Sequence, residues 1–174
     1  MSVQGDEFLK AAEKGDIDAM KRLLSGDDAV DVNYCDAAGF TALHLAAYEP
    51  LTKGQKRQKH FKGAQIARLL VEHKPDLEKR NSYQRTPLGS ACIYVCNFRG
   101  PSPSFPHDVA EILLAAGADV NAQDYAGDTS LHYVCNAWNR HLQDPDKKLI
   151  QLLLDHGADV NIRDNAGSTP LDLI

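Results

Sequence analysis

The sequence predicts an all-α fold, a solenoid of stacked helix-turn-helix units joined by β-hairpin-like turns. Two observations carry that prediction. A polar turn leading into a threonine and a short apolar run begins at Asp36, at Asn81, at Asp124 and at Asp164. A second apolar run at i, i+3, i+4 spacing then ends in Gly-Ala-Asp-Val-Asn at 117–121 and again at 157–161. Units repeated in this way cannot bury their apolar faces singly, but a row of them can.

The elements follow in order. Asp6 to Glu13 and Asp16 to Ser25 form a first helix pair, in which Met20, Leu23 and Leu24 keep the helical stripe. That pair is polar and has no threonine-led start, so it reads as an N-terminal cap. In the later units Thr41, Thr86, Thr129 and Thr169 stand where a hydroxyl can accept from a backbone N–H two or three residues on. Pro87 and Pro170 follow directly, where a missing N–H costs nothing. Gly39, Gly127 and Gly167 fall at turn positions, and Gly117 and Gly157 end second helices, all sites that favour positive φ.

The stretches 36–47, 81–92, 124–135 and 164–174, as in Asp36-Ala-Ala-Gly-Phe-Thr-Ala-Leu-His-Leu-Ala-Ala47, resemble the ankyrin repeat. The resemblance covers nearly the whole chain and predicts one domain, 1–174. Its parts are a cap at 5–35, units at 36–80, 81–123 and 124–163, and a partial unit at 164–174. The turn starts stand 45, 43 and 40 residues apart, against a family period of about 33. Because helix starts and links are intact, the extra residues fall between the two helices of each unit, near 49–63, 97–106 and 139–147.

The resemblance implies a concave face made of turns and first helices that binds another protein. On the turns this face would include Tyr34, Phe40, Lys79, Arg80, Tyr83, Arg85, Tyr125, Asp128 and Arg163, and on the first helices Leu45, Tyr48, Ser90 and Tyr133. Tyr and Arg suit such a face because they bury much area and still hydrogen-bond. The junction into the third unit is the least regular: Lys74-Pro75 replaces Gly-Ala, Glu78 replaces Asn, Gln84 replaces the turn glycine, and Gly89 replaces histidine. Either that turn changes shape or Gln84 takes a positive φ at a cost of about 1 kcal/mol. A partner gripped around Arg80 to Arg85 is one reading, and ordinary drift of a single repeat the other.

The insertions differ in character. The first holds Lys53, Lys56, Arg57, Lys59 and Lys62 with no acid from Pro50 through Val71, an island suited to an anion, an acidic partner or nuclear import. The second, Asn97 to Pro106, is proline-rich and cannot be helical throughout; Phe98 and Phe105 either pin it down or dock a partner, and Ser102 precedes Pro103. The third is polar; Trp138, at the end of its first helix, either packs beneath that loop or anchors an interface.

The remaining expectations concern chemistry and setting. A net charge of −5 argues against general nucleic-acid binding. There is no apolar run long enough to span a bilayer and no signal peptide, and four cysteines lack paired spacing, which points to a soluble protein of the cytoplasm or nucleus. Cys92 and Cys135 align with Ala47 as core residues, and Cys92 with Cys96 lacks further ligands at zinc spacing, so no metal or cofactor is expected. His44 and His132 have, by the resemblance, a structural role between turns. Asp119 and Asp159 read as turn formers. Asn121 and Asn161 resemble ankyrin asparagines that are hydroxylated. The stop at Ile174, inside the first helix of a fifth unit, suggests a longer parent chain, whereas Met1 to Asp6 looks like a true start. The leading expectation is a monomeric, non-enzymatic adaptor, scaffold or inhibitor. The alternatives are anion or nucleic-acid binding through 53–62, or the recognition domain of a larger enzyme.

Overall fold

The computed structural model describes residues 2–47, 62–96, 105–141 and 144–174. Its helices are α1 (Val3–Lys14), α2 (Ile17–Leu23), α3 (Ala42–Ala46), α4 (Gly63–Glu72), α5 (Pro87–Cys96), α6 (Phe105–Ala115), α7 (Ser130–His141) and α8 (Asp144–Asp155), with a final 3₁₀ turn at Pro170–Leu173. First helices form one row, α1 on α3, α3 on α5, α5 on α7 and α7 on the 3₁₀ turn. Second helices back them, α2 on α4 and α4 on α6, and each unit's two helices pack on each other. Among the described residues no helix is long and apolar enough to cross a membrane.

The core runs along the stack and follows the repeat register. Two residues after each cap threonine, Leu43, Leu88 and Leu131 are buried, and six after it Ala47, Cys92 and Cys135 are too. In the second row the i, i+4 pairs Ile66 and Leu70, Val109 and Leu113, and Leu149 and Leu153 are fully buried. Burial pushes the Cys92 thiol up to about 12 and the Cys135 thiol up to about 11, as expected of core thiols rather than nucleophiles.

Helix starts are built as the residue types require. Thr41 accepts from the His44 N–H while the His44 ring accepts from the Thr41 N–H, a reciprocal cap. Thr86 Oγ1 accepts from the Gly89 N–H at 3.2 Å, and Asp16 opens α2 by accepting from the Ala19 N–H at 3.0 Å. The irregular turn kept its shape: Gln84 has φ 58°, where the homologous Gly39, Gly127 and Gly167 have 79° to 86°. Lys74 likewise has φ 51° where Gly117 has 95° and Gly157 has 86°.

The joining turns are hairpin-like, as expected: the N–H groups of Asp36, Asn81, Asp124 and Asp164 donate to the carbonyls of Phe40, Arg85, Asp128 and Ser168 at 2.9 to 3.1 Å, and Cys35–Thr41 forms an isolated bridge. Two expectations need correction. The third insertion is taken up largely by helix, α7 reaching His141 and α8 starting at Asp144, and the second ends inside α6 at Phe105. The first insertion through Phe61, with Tyr48, Lys53, Lys56, Arg57 and Lys59, lies outside the described residues, as do Phe98, Ser102 and the side chain of Trp138. Lys62 is described and exposed.

Candidate binding face at the turns

Each turn is closed by its first residue. Asp36 Oδ1 accepts from the Ala38 and Phe40 N–H groups, both at 2.9 Å. Asp124 Oδ1 accepts from Ala126 and Asp128, and Asp164 Oδ1 from Ala166 and Ser168, at 2.8 to 3.1 Å. Asn81 does the same for Tyr83 and Arg85 at 2.9 and 3.2 Å. Successive turns are joined by backbone bonds from the Ser82 N–H to Ala38 O, Tyr125 to Tyr83 and Asn165 to Ala126.

Side chains complete these ties. The residue before each of the last three turns reaches back to its own turn: Arg80 to Gln84 O at 2.8 Å, Gln123 to Gly127 O at 2.7 Å and Arg163 to Gly167 O at 2.5 Å. Arg80 also donates to Gln123 O, and Gln123 to Arg163 O. In the links, Asn33, Glu78 and Asn121 each accept the N–H of the next unit's aspartate, that of Asp76, Asp119 and Asp159. Asp119 and Asp159 close their own turns as expected. The amide of Asn121 is engaged at both ends, since its Nδ2 donates to Gly157 O, whereas Asn161 is exposed and bonds within its own link.

Histidines bridge two of the junctions. His44 Nε2 meets Arg85 O at 3.0 Å, and His132 Nε2 meets Ser168 O at 3.1 Å. In each ring Nδ1 accepts a backbone N–H, from Thr41 or Thr129, so the proton sits on Nε2 and is donated to the next turn. Burial holds the His44 pKa below its ordinary value, more than the Arg85 carbonyl raises it. His132 also lies with Asp128 and Asp164 in a group whose ligand atoms are within 4.8 Å of one another. With both ring nitrogens engaged, that group is a turn-to-turn bridge and offers no free imidazole lone pair.

Gly89 stands where the third histidine would be, and Arg85 ties that junction by another route. Its Nε donates to Tyr133 Oη at 2.9 Å and to Asp124 Oδ2 at 3.3 Å, and the Tyr133 hydroxyl donates to the same carboxylate oxygen. The Tyr133 ring edge comes within 4.0 Å of where a Cβ on Gly89 would stand, so the tyrosine borders ground that a larger residue there would need. The guanidinium lies 4.7 Å from the Tyr83 ring centre and 5.5 Å from that of Tyr133. Burial, then the bond to Asp124, pushes the Tyr133 phenol up. Burial, then the nearby Asp124 charge, raises the Asp128 carboxyl.

The expected contact residues therefore divide. Tyr83 and Tyr125 are 54% and 81% exposed, and Arg80 and Arg163 are exposed as well. Phe40, Lys79, Arg85 and Asp128 are half-buried on the same turns. Tyr34 is turned onto α1, its hydroxyl donating to Asp6 at 2.7 Å, and Leu45 packs against the core. Tyr133 and Ser90, expected on the surface, are 7% and 6% exposed, a correction that follows from the tight approach of α5 and α7. Asp124 and Gln123 were missed as organising residues. Their signal was the carboxylate or amide at the turn's first position and the long polar side chain before it.

This stack of helix pairs with hydrogen-bonded turns defines a repeat protein, and the chain belongs to the ankyrin-repeat family. The family's models match as "Ankyrin repeats (3 copies)" over residues 8–124 and "Ankyrin repeat" over 126–165. The chain is similar to an ankyrin repeat protein, FPV023, of Fowlpox virus (strain NVSL), with 29% identity over 151 residues, 76% of this chain and 34% of the relative. It is 30% identical over 148 residues to an L-asparaginase of Dirofilaria immitis, covering 76% of this chain and 24% of that one. A serine/threonine-protein kinase 12 of Arabidopsis thaliana is 29% identical over 90 residues, 52% of this chain and 17% of the kinase. The chain thus spans about a third or less of these relatives. Ankyrin repeats are in general protein–protein interaction modules.

Proposed function

We propose that this chain is a non-enzymatic adaptor, scaffold or inhibitor domain that binds a partner protein through turns 79–85 and 122–128. The observation that carries this reading is the pair Tyr83 and Tyr125. Both are well exposed, and they stand on adjacent turns tied by the Tyr125 N–H to Tyr83 O bond at 3.1 Å. Arg85 lies over the Tyr83 ring and is itself held by Asp124 and Tyr133. An exposed aromatic ordered before binding loses less entropy on association, which is what a contact anchor needs. The similarity to an asparaginase and a kinase fits a domain that recurs beside different activities, with function residing in its face rather than its fold.

The test is affinity capture from lysate, comparing wild type with Tyr83→Ala/Tyr125→Ala and with residues 52–62 deleted. The reading expects partners to be lost from the double variant and kept by the deletion. The opposite pattern would place binding at the basic insertion.

A further inference from the structure

The turn-to-turn junctions share one plan, and one is left incomplete. At the junction described above, three homologous positions bond to one another: the residue before the cap threonine (Arg85), the first residue of the next turn (Asp124), and the fourth residue after that unit's threonine (Tyr133). At the preceding junction the same positions hold Phe40, Asn81 and Ser90. Asn81 is 2% exposed and Ser90 6% exposed, yet Asn81 Nδ2 and Ser90 Oγ have no hydrogen-bond partner. Buried polar atoms without partners are rare in folded proteins. The amide cannot simply be turned over, because Oδ1 is committed to the N–H groups of Tyr83 and Arg85. Two buried donors without partners therefore belong to one junction, whose third member, Phe40, has no acceptor in its side chain.

We propose that this junction is a subsite for a carboxylate side chain, Asp or Glu, of the bound partner, which accepts from Asn81 Nδ2 and Ser90 Oγ. The proposal rests on the reading of the turns as the binding face. Charge favours an acid here over a neutral acceptor. The two turns of this junction contribute Lys79, Arg80 and Arg85 against Asp36 and Glu78, whereas the next turn contributes Asp124 and Asp128 and no cation. Neither donor atom touches solvent in the free chain. Phe40, half-buried at the same junction, follows Gly39, whose backbone is packed so closely on Asn81 that an added Cβ would stand 2.9 Å from Asn81 Cα.

Random peptides displayed on phage and selected on the immobilised full chain test this. The expected binders carry Asp or Glu at a fixed position, and changing that acid to its amide weakens binding about tenfold or more. In Ser90→Ala and in Asn81→Asp the preference for acid over amide shrinks to near one or reverses. Because the ratio compares two peptides on the same variant, a smaller folded fraction cancels from it. Binders that need Tyr83 and Tyr125 but have no fixed acid, or a preference unchanged in both variants, would overturn the subsite and leave the face standing. Binders indifferent to Tyr83→Ala and Tyr125→Ala, or an empty selection, would overturn both.

Discussion

Arg85 Nε lies 2.9 Å from the hydroxyl of Tyr133, 48 residues away along the chain. That contact, with the Asp124 carboxylate beneath it, ties the one internal junction where Gly89 has replaced a bridging histidine. The Asp124 side chain is 5% exposed and the Arg85 side chain 23%, so this ion pair is better shielded than a surface pair.

Tyr133→Phe removes a hydroxyl shared between a guanidinium and a carboxylate, and is expected to cost about 1–2 kcal/mol. Arg85→Ala leaves the buried carboxylate short of its cation and should cost more, about 2–3 kcal/mol. The double variant should cost less than the sum, since both changes break one network. Urea unfolding of the four proteins measures all three quantities.

His44 is buried with its pKa held below the ordinary 6.5, chiefly by burial. The unfolded chain therefore takes up the proton first, so this contribution to stability is complete above about 6.5 and is lost as pH falls towards the folded value. Thermal melts between pH 7.5 and pH 5.5 should show the midpoint falling, with a shallower slope in His44→Gln.

Asp128 has the opposite sign. Its carboxyl is raised by burial and by Asp124, so the folded state holds this proton to higher pH than the unfolded state. Ionised Asp128 opposes folding at neutral pH, and that opposition fades as pH falls through the raised value. Asp128→Asn should raise the melting temperature at pH 7 and lose the advantage near pH 4.

Gln84 and Lys74 hold left-handed backbone at positions where the sibling units use glycine. Gln84→Gly and Lys74→Gly should each stabilise the chain by about 0.5–1 kcal/mol, or a shift of a few degrees in melting temperature. A gain at Lys74 alone would mean that the Gln84 side chain contributes contacts that offset its strain.

Gly127 and Gly117 separate conformation from crowding. Both have positive φ, but a Cβ on Gly127 would stand 2.8 Å from the Asn165 N, whereas one on Gly117 meets nothing within 4 Å. Gly117→Ala should cost about 1 kcal/mol and Gly127→Ala at least about 2, because the second also pushes adjacent turns apart.

The solenoid was legible because its signals are local: threonine caps, glycines at positive φ, and apolar spacing all act within one turn of helix. The role of His44 as a bridge was legible only through the family resemblance, since its partner, the Arg85 carbonyl, is 41 residues away. Tyr133 was misplaced because a tyrosine on a first helix reads as surface until α5 is packed against α7 and its hydroxyl finds Asp124. Gln84 showed its strain in the sequence, whereas the compensation by Arg80 and Arg85 depends on carbonyls and carboxylates of the next unit. Asn81 is the subtlest case. Its amide looks like a minor change from aspartate until Phe40 is seen to lack the cationic donor that Arg85 gives to Asp124 at the next junction.

Hydrogen–deuterium exchange of the full chain, with and without a captured partner, tests the central claim most directly. The account predicts added protection at the amides of 79–85 and 122–128, with 52–62 unchanged. Protection confined to 52–62, or to the second-helix row, would contradict it.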